Sequence, residues 1–593
     1  SVAAGAALIL AAIRDLWVRG RGLPMSAFPP ERLVSSGTYR LVRDPIYLGA
    51  AMLSAGVAIL TRSPAGLWIV TPVLILAMAA WVYGFERSLT LTRFGSLPTP
   101  ILRLPPPGAE RPSRQDVIAT VLLVFGPWLV LYQAVEYLGP PAWAPIAYLP
   151  GEVRWPVIPW TEAIYAATYP LVLAAAIVAP TRSALRRFAL SGLLATGLAV
   201  GWYLLLPVVA PAKPVPGEGF WQTVMHWERR HDSPATSLPA FHLVWTLLAA
   251  RIYLMRWPRI RIVVGLTTVA IAVSCLTTGM HAVLDLAAAA LLVGIVERRE
   301  VIWHGIQRGT ERLANSWREW AIGPVRIMNH GAWPAIGAMV GLAVAIWLAG
   351  SAFTTILLAM TGVAIVAAAL WAQVVEGSSQ LLRPFGYFGS VFGVVGVALL
   401  IEAQRGEGWF LLATFGTGAA FAQGIGRLRC LVQGCCHGRP APAAVGIRYL
   451  HPRSRVVRLA ALEGVPVHPT PLYSLLWLFV VGGVMIRLWF ADAAPTFIVG
   501  AYFILAGLGR FVEEHFRGEP QTATYAGLRF YQWLAVLFVV AGAVITTLPE
   551  SPMPPAGLPP LRSLGPLLLA GVSSWMAFGV DLPRASWRFS RLT

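Results

Sequence analysis

The chain has 593 residues, of which 57% are hydrophobic and only 12% charged, and it carries a net charge of +19. An average soluble domain is roughly one-quarter charged, so a soluble globular class is excluded. The positive charge does not point to nucleic acid, because the arginines cluster in short loops between apolar runs, as the positive-inside rule expects of a membrane protein.

In chain order, apolar runs recur at 46–60, 117–132, 188–209, 262–276, 331–348, 472–486 and 530–546. Several approach the ~20 residues that cross a bilayer as a helix. The pattern predicts an all-α polytopic membrane protein with about 16–18 transmembrane helices in three helical-bundle blocks. The expected organisation is a first membrane domain over 1–110, a second over 116–300, a basic interfacial linker over 301–330, a third domain over 331–550, and a tail over 551–593 with a last apolar segment. The linker reads as an amphipathic helix on the membrane surface. The proline-rich stretch 549–560 precedes the last apolar run. No fixed-period repeat is present, and no cleavable leader is expected of a multi-span chain.

Loop charge orients the second block. With the arginine-rich stretch 92–116 assigned to the cytoplasm, alternation places 139–162, 210–239 and His281 outside, and the arginine-rich loops 180–187 and 256–261 inside. His242 and His281 then share the non-cytoplasmic face of a bacterial-type inner membrane.

The first block holds Gly37-Thr38-Tyr39-Arg40-Leu41-Val42-Arg43-Asp44-Pro45-Ile46-Tyr47, an apolar hairpin, and then Glu86-Arg87 and Phe94-Gly95. A basic, tyrosine-bearing turn at the membrane edge can hold a carboxylate and an adenosine. These residues resemble the core of the isoprenylcysteine carboxyl methyltransferase and phospholipid methyltransferase group. The resemblance implies S-adenosylmethionine as cofactor, bound by Tyr39, Arg43, Tyr47 and Glu86. Asp44 stands where that group has histidine, and Arg87 where it has a second acid.

The second block holds Ser237-Leu238-Pro239-Ala240-Phe241-His242, and Thr277-Thr278-Gly279-Met280-His281 followed by Asp285. Ionisable groups inside a membrane are costly and default to a functional reading. His281 and Asp285, four residues apart on a helix, share a face, so the carboxylate can orient the imidazole. A histidine nucleophile and a second histidine as proton donor suit phosphoryl transfer. The pattern resembles the type-2 phosphatidic acid phosphatase superfamily, closest to its inositol phosphorylceramide synthase branch. That resemblance implies His281 as nucleophile, His242 as general acid and Asp285 as orienting acid. Cys275 stands where the phosphatase branch has an arginine, and Lys213 is a weak candidate for its early basic residue.

The third block carries a glycine-rich run over 386–396, then Gly426-Arg427-Leu428-Arg429-Cys430-Leu431-Val432-Gln433-Gly434-Cys435-Cys436-His437-Gly438. His468-Pro469-Thr470 and Tyr473 follow, with Arg510, Glu513-Glu514, Arg517 and Gln532 beyond. Holding a lipid phosphate while its ester is displaced calls for guanidinium groups, which bind phosphate bidentately. In this order the motifs resemble prolipoprotein diacylglyceryl transferase over some 200 residues, roughly the span from 331 to 550. The resemblance implies transfer of a diacylglyceryl group from a phosphatidylglycerol-like donor, with Arg427 as phosphate clamp and Glu514 holding the arginines in place. It implies Arg510, Arg517, Gln532, His468, Tyr473 and Gln433 as substrate-binding residues. Cysteines replace one signature asparagine and the glutamate, Gln433 the other asparagine, and His437 the tyrosine. The family's early histidine, a proposed base, is missing where Val391 and Phe392 stand. His437 can take its place as base, and Cys435 or Cys436 is either an internal nucleophile or a small packing residue.

Four cysteines are present, and none shows a CxxC spacing with histidine partners, so no metal site is expected. The leading expectation is a membrane-lipid transferase with an attached phosphotransfer site and a methyltransferase-like start. Its partners would be membrane phospholipids and an acceptor that is a lipoprotein cysteine or another lipid. Two alternatives stay open: headgroup exchange or lipid phosphatase activity centred on the second block, and a lipid transporter or scramblase without chemistry.

Overall fold

A computed structural model describes residues 2–24, 27–230, 232–375, 377–378, 381–519, 523–549 and 561–593. The apolar runs fold as helices because lipid cannot satisfy backbone polar groups, so each segment must bond internally. Among the described residues, ten helices are long and apolar enough to cross a membrane, and three shorter apolar ones are Pro45–Leu60, Phe530–Ile545 and Leu564–Gly579. The helices Phe241–Arg256, Val283–Glu297 and Gly408–Gln433 fall outside those thirteen, being short or carrying charged side chains. These are the helices that carry His242, Asp285 and Arg427. The chain is an all-α polytopic membrane protein.

Two units are distinguishable. The first comprises residues 1–71 and 96–303, the second 72–95 and 304–593.

In the first unit, helices Val2–Gly20 and Pro45–Leu60 meet through Gly5 and Gly49. A β-carbon on Gly49 would lie 2.9 Å from the Gly5 carbonyl oxygen, so a small residue is needed at the contact. A second core gathers Phe125, Phe188, Phe241 and Trp245 around the helix Arg182–Leu205. That helix begins with the Thr181 hydroxyl accepting from Ala184 N at 3.1 Å. Arg182 fastens it to Asp116 at 2.8 Å, and Glu297 gathers Arg187, Arg251 and the Ser191 hydroxyl.

In the second unit, helix Ala332–Ala349 lies against Gly408–Gln433, and Pro495–Phe516 against Phe530–Ile545. Both contacts are glycine-mediated. A β-carbon on Gly341 would reach 2.8 Å from the Gly418 oxygen, and one on Gly500 would reach 2.6 Å from the Gly542 oxygen.

The stretch 301–330 is more than a surface helix. Helix Arg299–Ala314 gives way to a hairpin, Glu319–Ile322 with Val325–Met328, in register Glu319↔Met328. The C-terminal strand Val580–Asp581 adds to its free edge. Asp581 accepts from Arg326 Nε at 2.9 Å and Nη2 at 2.7 Å, a buried bidentate pair. The tail is therefore folded back onto the hairpin. The stretch 549–560 lies, apart from Pro549, outside the described residues.

Candidate functional site

The third-block motifs converge in the second unit. Arg427 sits near the C-terminal end of helix Gly408–Gln433, which stops at Gly434 in the left-handed conformation (φ 70°). A β-carbon on Gly434 would also meet the Ser454 hydroxyl, so the signature loop turns sharply beneath the arginine. Gly438 then bridges to Arg517, bringing the loop to the end of helix Pro495–Phe516.

Four guanidinium groups and two carboxylates form one buried network. Arg510 donates to Glu513 at 3.0 Å and to Glu514 at 2.7 Å. Arg427 Nη2 lies 3.6 Å from Glu513, Arg517 3.5 Å from each glutamate, and Arg529 Nη1 3.7 Å from Glu514. The four guanidiniums, of which Arg529 is only half-buried, outnumber the carboxylates around them even with Glu519 beside Arg517 counted, so the cluster leans positive and suits a phosphate. Motif matching singled out Glu514, but it is Glu513 that links Arg427 to Arg510. The signal lay in the Glu-Glu doublet, whose two members sit one helical step apart and face different arginines. Gln532 belongs to the scaffold: its Oε1 accepts from Arg529 N at 3.0 Å and its Nε2 donates to the Gly84 carbonyl at 3.1 Å.

Two cavities of about 350 Å³ each flank this network, and Tyr387, Gln423 and Arg427 line both. One runs along Ser390, Val391 and Val394 to the three cysteines of the signature loop. The other is bounded by Tyr473, Ser474, Arg510 and Glu513. In the glycine-rich helix Tyr387–Arg405, Gly389 and Gly393 face helix Thr354–Val375, whereas the opposite side lines the first cavity. Gln433 is buried at the helix end, outside both cavities.

His437 Nδ1 is 3.1 Å from the Gly434 carbonyl. A carbonyl can only accept, so Nδ1 carries the proton and Nε2 is left as the basic nitrogen. Nε2 is buried without a partner among the described residues, and burial pushes the imidazole below its ordinary value. His468 Nδ1 pairs with the Tyr473 hydroxyl at 3.1 Å, and its ring packs on Phe516.

Sequence reading passed over Glu519, which lies 3.9 Å from Arg517. Burial pushes its carboxyl up to about 7 from an ordinary 4.5, against the pull of Arg517. A carboxyl raised in the folded state favours the protonated form. Its contribution to stability is therefore present below pH 4.5 and lost as pH rises through about 7. The thermal midpoint in detergent, compared between about pH 5 and 8, is expected to fall less in Glu519→Gln than in the native chain. Identical slopes would show that Glu519 does not titrate in this window.

In the first unit, the second-block trio is assembled. Asp285 accepts from Ala282 N at 2.8 Å and lies 3.3 Å from His281 Nδ1. His242 and His281 have ring centroids 6.2 Å apart, and both are buried. Two tyrosines four residues apart were not foreseen. The Tyr165 hydroxyl is 3.3 Å from His281 Nε2, and the Tyr169 hydroxyl is 3.1 Å from His242 Nε2. A small aromatic cavity of about 110 Å³ reaches His242 past Phe125, Trp128 and Tyr169.

Lys213 does not point to the histidines as a free clamp. Its ammonium donates to the Glu152 carbonyl at 2.7 Å, and burial lowers its pKa. Arg229, unremarked in the sequence, donates to the Thr278 carbonyl at 2.6 Å beside the His281 turn, and its Nε is buried without a partner among the described residues. Cys275 is fully buried, and its carbonyl accepts from His281 N.

The methyltransferase-like residues are less concentrated. Gly37 and Thr38 are held by Asp15, whose carboxylate accepts from Thr38 N at 2.7 Å and from its hydroxyl at 2.9 Å. A polar cavity of about 540 Å³ in the first unit is lined by Ser35, Arg40, Arg103 and Gln115, with Tyr39, Arg43 and Tyr47 outside its lining. Glu86 belongs to the second unit, at the end of the segment Val82–Glu86.

These sites define a class: a multi-pass membrane protein bearing three regions built like lipid-modifying enzymes. Family models agree region by region. Prolipoprotein diacylglyceryl transferase matches residues 319–548, the PAP2 superfamily 154–297, and phospholipid methyltransferase 2–96. Among curated relatives, phosphatidylglycerol–prolipoprotein diacylglyceryl transferase 2 of Clostridium perfringens is 28% identical over 182 residues, which is 30% of this chain and 67% of the relative. The enzyme of Clostridium tetani is 25% identical, over 27% of this chain and 62% of its own length. That of Azospirillum brasilense is 32% identical, over 26% and 58%. This chain thus spans about three-fifths to two-thirds of the length of these three relatives.

Proposed function

We propose that the third region transfers a diacylglyceryl group from a phosphatidylglycerol-like phospholipid to an acceptor thiol, on a lipoprotein or another molecule. The observation that carries this reading is Arg427, held in the wall common to two mostly apolar cavities of about 350 Å³ each. One cavity suits the donor and the other the lipidated product, with the phosphate between them. Arg427, Arg510 and Arg517 would hold the phosphate as the glyceryl carbon–oxygen bond breaks, and Glu513 and Glu514 fix the guanidiniums beforehand. His437 Nε2 is the nitrogen that would accept the thiol proton, in place of the family's early histidine.

The second region is a lipid phosphotransfer or phosphatase site, facing the non-cytoplasmic side. His281 attacks phosphorus, held by Asp285, and His242 protonates the leaving oxygen. The Tyr165 hydroxyl yields its place at Nε2 when phosphate binds. Replacing His242 with alanine is expected to lower phosphate release from a phosphatidic-acid-type lipid by about 10²–10⁴-fold. An unchanged rate would remove that role. The first region would bind S-adenosylmethionine through Tyr39, Arg43 and Tyr47, which calorimetry with the full chain tests directly. Absence of heat would count against it.

Lipid mass spectrometry of cells with and without the gene separates these readings. Chemistry in both regions predicts covalent products that Arg427→Ala and His281→Ala each remove selectively. Transport or scrambling predicts leaflet redistribution with no new species.

A further inference from the structure

Cys430 and Cys435 are separated by four residues, within the range of zinc-ligand pairs, with Cys436 adjoining, and the fold brings all three together. Cys430 lies in the last turn of helix Gly408–Gln433, and the turn at Gly434 folds Cys435 and Cys436 back beneath it. The three sulfurs all lie within 4.8 Å of one another. Cys435 and Cys436 Sγ are 3.9 Å apart. Two thiolates bound to one metal at ~2.3 Å, with angles between tetrahedral and trigonal, sit about 3.8–4.0 Å apart. All three side chains are half-buried and line the first cavity together with Arg427. Arg427 Nη1 is 3.7 Å from Cys436 Sγ, so a fixed cation stands beside the sulfur cluster.

We infer that these cysteines form a three-thiolate site for one thiophilic divalent cation of the zinc type, whose fourth position opens into the lipid cavity and takes the acceptor thiol. Three protein ligands with one open position are the arrangement of catalytic rather than structural zinc. Three thiolates and a divalent cation leave one net negative charge, which the adjacent Arg427 balances. The inference rests on the thiol-transfer reading and extends it. An acceptor thiol that coordinates the metal becomes a bound thiolate, its proton passing to the base already named, His437 Nε2. Its sulfur then bonds to the glyceryl carbon as the carbon–oxygen bond breaks, and that electron pair leaves with the phosphate oxygen. The thioether product is a weak ligand and departs.

The test uses the full chain in detergent, reduced and purified without chelators. Elemental analysis is expected to find about one zinc per chain, and less than about a tenth of that in Cys430→Ser, Cys435→Ser and Cys436→Ser, each checked for monodispersity. In the cobalt-exchanged protein, a cysteine peptide should raise the thiolate-to-cobalt absorption by about one-third, as three thiolates become four, and the serine peptide should not. Failure of the reduced protein to hold zinc or take up cobalt, or an absorption indifferent to the peptide thiol, overturns the inference. Thioether formation is measured in parallel. Metal and peptide bound without any thioether would sink the transfer reading but keep the site. Thioether formed at the native rate by all three serine variants would sink the site but keep the transfer reading.

Discussion

Replacing Arg427 with alanine is expected to lower diacylglyceryl transfer by about 10²–10³-fold, the typical loss when one donor to developing anionic charge is removed. The effect should fall on turnover rather than folding. Glu513, the carboxylate nearest Arg427, keeps its 3.0 Å bond to Arg510 when Arg427 is gone. Donor lipid should still enter, because the cavities are mostly apolar and Arg427 contributes only a small part of their walls. Lysine at 427 restores a charge but not the planar pair of donors, so it should recover only part of the rate. Steady-state transfer with purified variants, each checked for an unchanged unfolding midpoint, reads this out. A near-native rate in Arg427→Ala would show that the phosphate is held elsewhere.

Replacing Glu514 with alanine should act mainly on stability. Glu514 is 1% exposed and faces Arg510 at 2.7 Å, Arg517 at 3.5 Å and Arg529 at 3.7 Å. Removing one carboxylate leaves three buried guanidiniums with only Glu513 inside the network to answer them. Breaking a buried ion pair from one side costs about 3–5 kcal/mol. A drop of that order in unfolding free energy in detergent is expected for Glu514→Ala. Glu513→Gln, which removes charge but keeps a hydrogen-bonding side chain between Arg427 and Arg510, should lose more activity than stability. Equal, small losses in both variants would mean that the cluster is solvated in the membrane-embedded protein.

Much of this was legible in the residue string. Helical class follows from local periodicity. His281 and Asp285 do meet, but not as two residues on one helix face: the helix begins at Val283, so His281 stands ahead of it and Asp285 reaches back from the first turn. The order Arg427, Arg510, Glu514, Arg517 was readable as a motif. What could not be read was which residues from distant segments meet. Glu513 gains its role only because helix Pro495–Phe516 turns that face toward Arg427. Tyr165 and Arg229 gain theirs from the short helices Glu162–Ala166 and Phe220–Arg229, which carry no motif. The cysteines were set aside for want of a CxxC spacing with histidine partners, whereas a helix end folded back by one left-handed glycine gathers them. The linker's hairpin was hidden because its third strand, Val580–Asp581, comes from the other end of the chain. Helices with charged ends, such as Gly408–Gln433, fall outside a strict apolar-length criterion for the same reason that they carry chemistry.

The most direct test of the central reading is transfer in a defined system. Purified full chain is mixed with phosphatidylglycerol and a cysteine-bearing lipoprotein peptide, and the peptide is weighed by mass spectrometry. The reading predicts a mass gain of one diacylglyceryl group in thioether linkage, glycerol phosphate released in equal amount, and loss of both in Arg427→Ala. An unmodified peptide with native protein, or a product that Arg427→Ala makes equally well, would contradict it.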